Sequence, residues 1–169
     1  SAGAKSAESQ GADGLAVITN ANSVRMTSAL PLLHLGHLFD AQGSASDAVV
    51  IKPDLAMLDE GHALGLECVV RVRESSELER VLRYFDPEVF VLSVPEDADD
   101  DPLTVLLDLL HDVPAGKLAI ADLHDATPED VSELERSGVD AVLVSQGILA
   151  TLIPADPPER RAAARPVGQ

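Results

Sequence analysis

Two arginines alternate along one short apolar stretch, Val69-Val70-Arg71-Val72-Arg73. In an extended strand successive side chains point to opposite faces, so Arg71 and Arg73 share a face. Two guanidinium groups on one face can hold a small anion, because each presents a planar fork of N–H donors to carboxylate or phosphate oxygens. The competing arrangement is pairing with the chain's own acids, for instance Asp122 or Glu67. A second set ends another apolar run, at Asp122-Leu123-His124-Asp125. With His34 and His37 of Pro31-Leu32-Leu33-His34-Leu35-Gly36-His37, these residues supply the imidazole and carboxylate donors that divalent metals use. Their spacing matches no recognised metal motif. Solvent-facing loop histidines are the simpler expectation, with no metal and no cofactor. A third set, Ser145-Gln146-Gly147-Ile148, reads as the start of a helix, where free backbone N–H groups can receive phosphate. The candidate ligand-binding residues are therefore Arg71, Arg73, Asp122, His124, Ser145, Gln146 and Gly147, with no catalytic residue assigned.

Seven short apolar runs must position these groups: Gly14–Thr19, Pro31–Leu35, Ala48–Ile51, Glu67–Val72, Val89–Val94, Leu118–Ala121 and Asp140–Val144. They are rich in Val, Ile and Leu, as buried parallel strands are. Helical patterns lie between several of them, at Leu55–Leu64, Ser75–Leu82 and Leu103–Leu110. Ser76 and Glu79 have the spacing of a capping box. The stretch Leu118–Ala150 is the clearest unit. Thr127 can cap the helix opened by Pro128, Val131 and Leu134 share a face, and Gly138 ends it before the next strand. Strand, helix, strand implies a parallel pair joined by a right-handed crossover. Three strand entrances also echo one another, with small residues and an Asp (Asp13, Asp47, Asp140) ahead of each strand. Repetition of this kind points to a barrel of similar units.

The 169 residues suffice for one domain with a sizeable core. Only 2% are aromatic, so Val, Leu, Ile and Ala must build that core. The net charge of −17 excludes the basic face that nucleic-acid binding needs. The scarcity of lysine and excess of acids suit either a high-salt cytosol or a GC-rich genome. Cys68 lies in an apolar run and is expected as a buried core thiol. No run reaches the length of a membrane helix and no signal peptide is visible, so a cytoplasmic protein without membrane contact is expected.

The segment Thr127–Val144, TPEDVSELERSGVDAVLV, resembles the end of indole-3-glycerol phosphate synthases, and the resemblance extends from about Gly11 to Leu149. It implies a (β/α)8, or TIM, barrel. In that family ring closure on a carboxylated anilino sugar phosphate needs a lysine acid, a glutamate base, a second lysine–glutamate pair and backbone donors for phosphate. Matched strand by strand, this chain departs from that set. Where the third strand carries Pro-Val-Leu-Arg-Lys-Asp-Phe, the acid lysine is Leu35. Where the fifth carries Leu-Val-Glu-Val-His, the base glutamate is Arg71. The Asn-Asn-Arg-Asp of the sixth is Ser93-Val94-Pro95-Glu96. The Glu-Ser-Gly-Ile of the seventh is Asp122-Leu123-His124-Asp125, and the Gly-Glu of the eighth is Ser145-Gln146. The Glu-x-Lys of the first strand has no counterpart.

The fold expected is thus α/β, an incomplete or remodelled TIM barrel of about seven parallel strands with the first barrel strand absent. Residues 1–153 would form the barrel and 154–169 a flexible tail. The connections after Thr19 and Gly36 are too short for full helices. Two open strand edges would need covering by a second copy or a partner protein. The function expected is binding or assembly without the family's catalysis. The alternatives are an enzyme or sensor for a small anionic metabolite such as a sugar phosphate, or residual carboxy-lyase activity in tryptophan biosynthesis.

Overall fold

A computed structural model describes residues 2–153. An opening helix α1 (Ala2–Ser9) precedes seven strands: β1 (Leu15–Val17), β2 (Leu32–His34), β3 (Ala48–Ile51), β4 (Cys68–Val72), β5 (Val89–Ser93), β6 (Leu118–Asp122) and β7 (Ala141–Leu143). All pair in parallel and in sequence order, forming a nearly closed barrel in which β1 and β7 are the two ends of the sheet. The helices between them are α2 (Ala21–Arg25), α3 (Leu38–Ala41), α4 (Leu55–Ala63), α5 (Ser75–Tyr84), α6 (Pro102–Asp112) and α7 (Pro128–Ser137). A 3-10 turn (Gln146–Ile148) leads into α8 (Leu149–Leu152). The connections after β1 and β2 carry only one helical turn each, as their polar, Gly/Ser-rich sequence predicts. The expected tail, 154–169, lies outside the described residues. Among the described residues no helix is long and apolar enough to cross a membrane.

Strand alternation divides the apolar residues into two layers. Val49, Ile51, Val70, Val72, Phe90, Leu92, Ala119 and Ala121 point outward and pack beneath Leu58, Leu78, Val81, Leu106, Leu109 and Leu134 of the helices. Val50, Val69 and Val91 point inward with Leu33, Leu35 and Ile120, and fill the barrel. This interior phase continues along β4 to Arg71 and along β6 to Asp122. The sheet register therefore places both groups at the C-terminal end of the barrel, where TIM barrels keep their sites.

Local chemistry sets the helix ends. Thr127 Oγ1 accepts from the Asp130 N–H while Asp130 accepts from the Thr127 N–H, and Gly138 ends α7 at φ 103°. Only glycine takes that backbone conformation at little cost. The Ser76–Glu79 capping box does not form. The cap of α5 lies two residues earlier, at Glu74, and Glu77 accepts the Arg73 N–H instead. Ser76 Oγ turns back to donate to the Glu74 carboxylate.

Two of the three echoed aspartates do the same work. Asp47 and Asp140 each accept a backbone N–H from the start of the neighbouring strand, from Leu32 at 2.7 Å and Ala119 at 2.8 Å. Asp13 has no such role; Asp47 and Asp140 each bond to the strand that precedes their own in the sheet, and β1, which Asp13 precedes, is the first strand of the sheet. Asp47 also receives Arg25, whose other nitrogens donate to the Leu30 and Ala45 carbonyls. The Leu32 N–H, and then Arg25, hold the Asp47 carboxyl below its ordinary value of 3.8. A carboxyl depressed in the fold adds stability above its unfolded pKa and loses it as pH falls through the lower folded value. Asp47→Asn is therefore expected to be less stable than the parent at pH 7, with the gap shrinking below about pH 4. Urea unfolding at pH 7 and pH 3 measures both ends.

Cys68 packs against the outer layer as a half-buried thiol, and burial raises its pKa, followed by the Glu67 charge. It sits so close beneath α4 that a Cβ on Gly61 would lie within bond-clash range of its sulfur. Gly61→Ala should gain about 1 kcal/mol of helix propensity and lose more to this overlap, about 1–3 kcal/mol. Cys68→Ala is expected to destabilise the parent but to stabilise Gly61→Ala, a reversal of sign readable in a four-variant thermal unfolding cycle.

Candidate functional site

Asp122 is the centre of the barrel mouth. It ends β6 facing inward, and its side chain is only 8% exposed. Its Oδ2 accepts from Ser93 Oγ at 3.2 Å, because Ser93 is its register partner on β5. The Arg71 guanidinium reaches over β5 from β4 and lies 3.4 Å from the same oxygen. Its Oδ1 is buried without a hydrogen-bond partner, and His124 Nδ1 faces it at 3.2 Å. One carboxylate thus gathers a guanidinium from β4, a hydroxyl from β5 and an imidazole from the loop that follows its own strand.

Arg73, one step further along the interior phase, is half-buried. It has no carboxylate within ion-pair distance among the described residues, and its Nε is buried without a partner. The two arginine side chains leave the strand about 6.6–7 Å apart on the same face. The mouth consequently holds one neutralised guanidinium and one that is not.

The remaining candidates are placed differently. The Ser145 N–H donates to the His124 carbonyl, extending the β6–β7 pairing. Gln146 does not face the mouth; its Nε2 donates to the Gly3 carbonyl of α1 at 3.1 Å, fastening the first helix to the last strand connection. Gly147 is exposed, in a single 3-10 turn rather than at the head of a long helix. The aligned array of free N–H groups expected for phosphate is therefore reduced to one turn. His34 is not a loop histidine: it is 1% exposed on the outward face of β2, with neither ring nitrogen hydrogen-bonded. Asp122 points into the barrel, so the two cannot converge. Among the described residues no group of three His, Cys, Asp or Glu side chains is arranged to hold a metal. The role of Ser93 was not read from the sequence. Its signal was available, since the interior phase of Val89 and Val91 continues to it.

Against known proteins the chain aligns with curated enzymes named indole-3-glycerol phosphate synthase. It is 29% identical to that of Variovorax paradoxus (strain S110) over 145 residues, 78% of this chain and 54% of the relative. It is 24% identical to that of Geobacillus sp. (strain WCH70) over 179 residues, 86% of this chain and 66% of the relative. The chain is a divergent relative of these synthases. It spans about half to two thirds of their length. No protein-family model matches it. Among solved structures, the N-acetylmannosamine-6-phosphate 2-epimerase from Clostridium perfringens superposes with a TM-score of 0.71 at 13% identity, covering 90% of this chain and 79% of that one. At that identity the likeness establishes the TIM-barrel fold alone.

Set against the synthase pattern quoted from the strands above, the mouth has changed in kind. Leu35, at the acid-lysine position, is part of the apolar filling of the barrel. Arg71, at the base position, is paired with Asp122. Of the three lysines, Lys5 lies in α1, Lys117 pairs with Asp86 and Glu88 at the opposite end of the strands, and Lys52 directly follows β3, exposed, in the inward phase of Ala48 and Val50. Two surface depressions lie elsewhere, one along α6 and α7 lined by Leu103, Pro128 and Arg136, the other beside α2 lined by Glu8, Arg25 and Met26. Neither includes a residue of the mouth.

Proposed function

We propose that this barrel does not carry out the ring closure of the synthases and acts by binding. The observation that carries this reading is the Arg71–Asp122 pair: a cation that stays protonated at neutral pH occupies the position of the general base, tied to the acid that ends β6. Removal of a single catalytic group typically costs orders of magnitude in rate, and here the acid and the base are both replaced. A fluorescence assay for indole product, run on the carboxylated anilino sugar phosphate at high protein concentration, is expected to stay at the blank rate. Turnover that disappears in Arg71→Ala would refute the proposal. The strand edges of β1 and β7 are where assembly would occur, since each has one neighbour in the sheet. Light scattering across a concentration series reads whether a second copy covers them.

A second reading is favoured by Arg73. Its unpaired guanidinium beside a neutralised Arg71 gives the mouth a place for a small anion, such as a sugar phosphate. Anion binding stabilises the fold by mass action, about 2.7 kcal/mol at a hundredfold excess over Kd. Millimolar phosphate or ribose 5-phosphate is then expected to raise the melting temperature of the parent and not of Arg73→Gln. Equal shifts in both would remove Arg73 from the site.

A further inference from the structure

We infer that His124 and Asp122 form a proton-transfer pair at the rim of the barrel mouth, with Asp122 orienting the imidazole and His124 Nε2 presented as the proton acceptor. Three features of the geometry support it. Asp122 Oδ2 is already occupied by Ser93 Oγ and the Arg71 guanidinium, while Oδ1 is buried and has no hydrogen bond of its own. A buried carboxylate oxygen left without a donor is costly, and His124 Nδ1 lies 3.2 Å away, within reach of the hydrogen bond that a small turn of the ring would complete. A proton on Nδ1 leaves the lone pair of neutral imidazole on Nε2, at the opposite side of the ring. The ring itself is 64% exposed, so that lone pair is open to a ligand rather than used within the fold.

The backbone fixes the pair from both sides. Asp122 is the last residue of β6, and the Leu123 N–H donates to the Leu143 carbonyl. The His124 carbonyl in turn accepts the Ser145 N–H, so the residue carrying the imidazole is tied to the end of β7. A carboxylate that sets the tautomer of a histidine and stabilises the imidazolium is the arrangement general-base histidines use. In the step it permits, Nε2 takes a proton from a bound acid. The bond between that proton and the ligand breaks, the electron pair stays on the ligand, and the imidazolium formed shares the Asp122 carboxylate with Arg71. Arg73 on β4 is the guanidinium available to hold a ligand that is itself an anion. The chemical class is therefore a small organic anion with an exchangeable proton. That ligand class rests on the second reading of the mouth; the pair itself does not.

Nitrogen-15 NMR of the histidine side chains tests the pair directly. His124→Gln identifies the resonance, and His37, His62 and His111 serve as references. Neutral His124 in the parent is expected to be the Nδ1–H tautomer, and Asp122→Asn is expected to move it toward Nε2–H. A parent His124 in the Nε2–H form overturns the pair without need of any variant, so the test survives if Asp122→Asn does not fold. Titration with acetate and with inorganic phosphate separates the two levels. Shifts at His124 that vanish in Arg73→Gln support the anion class. The Nδ1–H tautomer with no response to either anion keeps the pair and overturns the anion reading.

Discussion

Replacing Arg71 by methionine should lower the unfolding free energy by about 3 kcal/mol, the low end of what breaking a buried ion pair costs. The low end applies because the Arg71 side chain is 23% exposed whereas that of Asp122 is 8% exposed. Methionine fills most of the stem volume but leaves the carboxylate with a hydroxyl and an imidazole only. Taking both charges away is a different experiment. Arg71→Met with Asp122→Leu replaces the pair by apolar groups in an interior already built of Val, Leu and Ile, and most of the loss is expected to return. Urea unfolding of the four variants gives the coupling directly. A coupling below about 0.5 kcal/mol would mean that the pair behaves as an exposed surface pair.

Gly36→Ala is expected to cost about 3 kcal/mol, the upper range for forcing extra volume into a packed site. A Cβ at this position would lie 2.5 Å from the Ile18 carbonyl oxygen and 2.8 Å from His34 Nε2. The first of these atoms is backbone at the end of β1, so relief requires the strand itself to move away from β2. The damage should therefore be local to one end of the sheet. Hydrogen exchange is expected to speed up at Leu35, whose N–H donates to the Val17 carbonyl, and to leave β5 and β6 unchanged. Uniform acceleration across all strands would contradict this account. Replacing His34 by leucine in the parent has the opposite expectation, no loss of stability, because it removes a buried ring whose two nitrogens make no hydrogen bond.

Both substitutions lie beyond what the residue pattern alone conveys. The strands were legible because each is a short run of β-branched and aliphatic residues between turn signals, and six of the seven survive within one residue at each end. β1 loses one residue at its start and two at its end, leaving Leu15–Val17. The capping of α7 was legible for the same reason, since Thr127, Pro128, Asp130 and Gly138 act within one turn of themselves. The Ser76–Glu79 pairing failed at equal range because two registers were chemically acceptable, and Arg73 and Glu77 chose the other one. His34 was misplaced because the alternation of Leu32 and His34 on one buried face was outweighed by the polarity of the imidazole.

By itself the sequence determined the α/β class, the order of the elements and the likeness to the synthases. These depend on residue identity and on contacts between neighbours in the chain, which spacing displays. Only the tertiary structure decided which partner Asp122 takes, that Gln146 holds α1 instead of facing the mouth, and that Arg73 meets no carboxylate among the described residues. Those outcomes depend on the barrel register, which brings the ends of β4, β5 and β6 to one level, and no local pattern in the chain records that alignment.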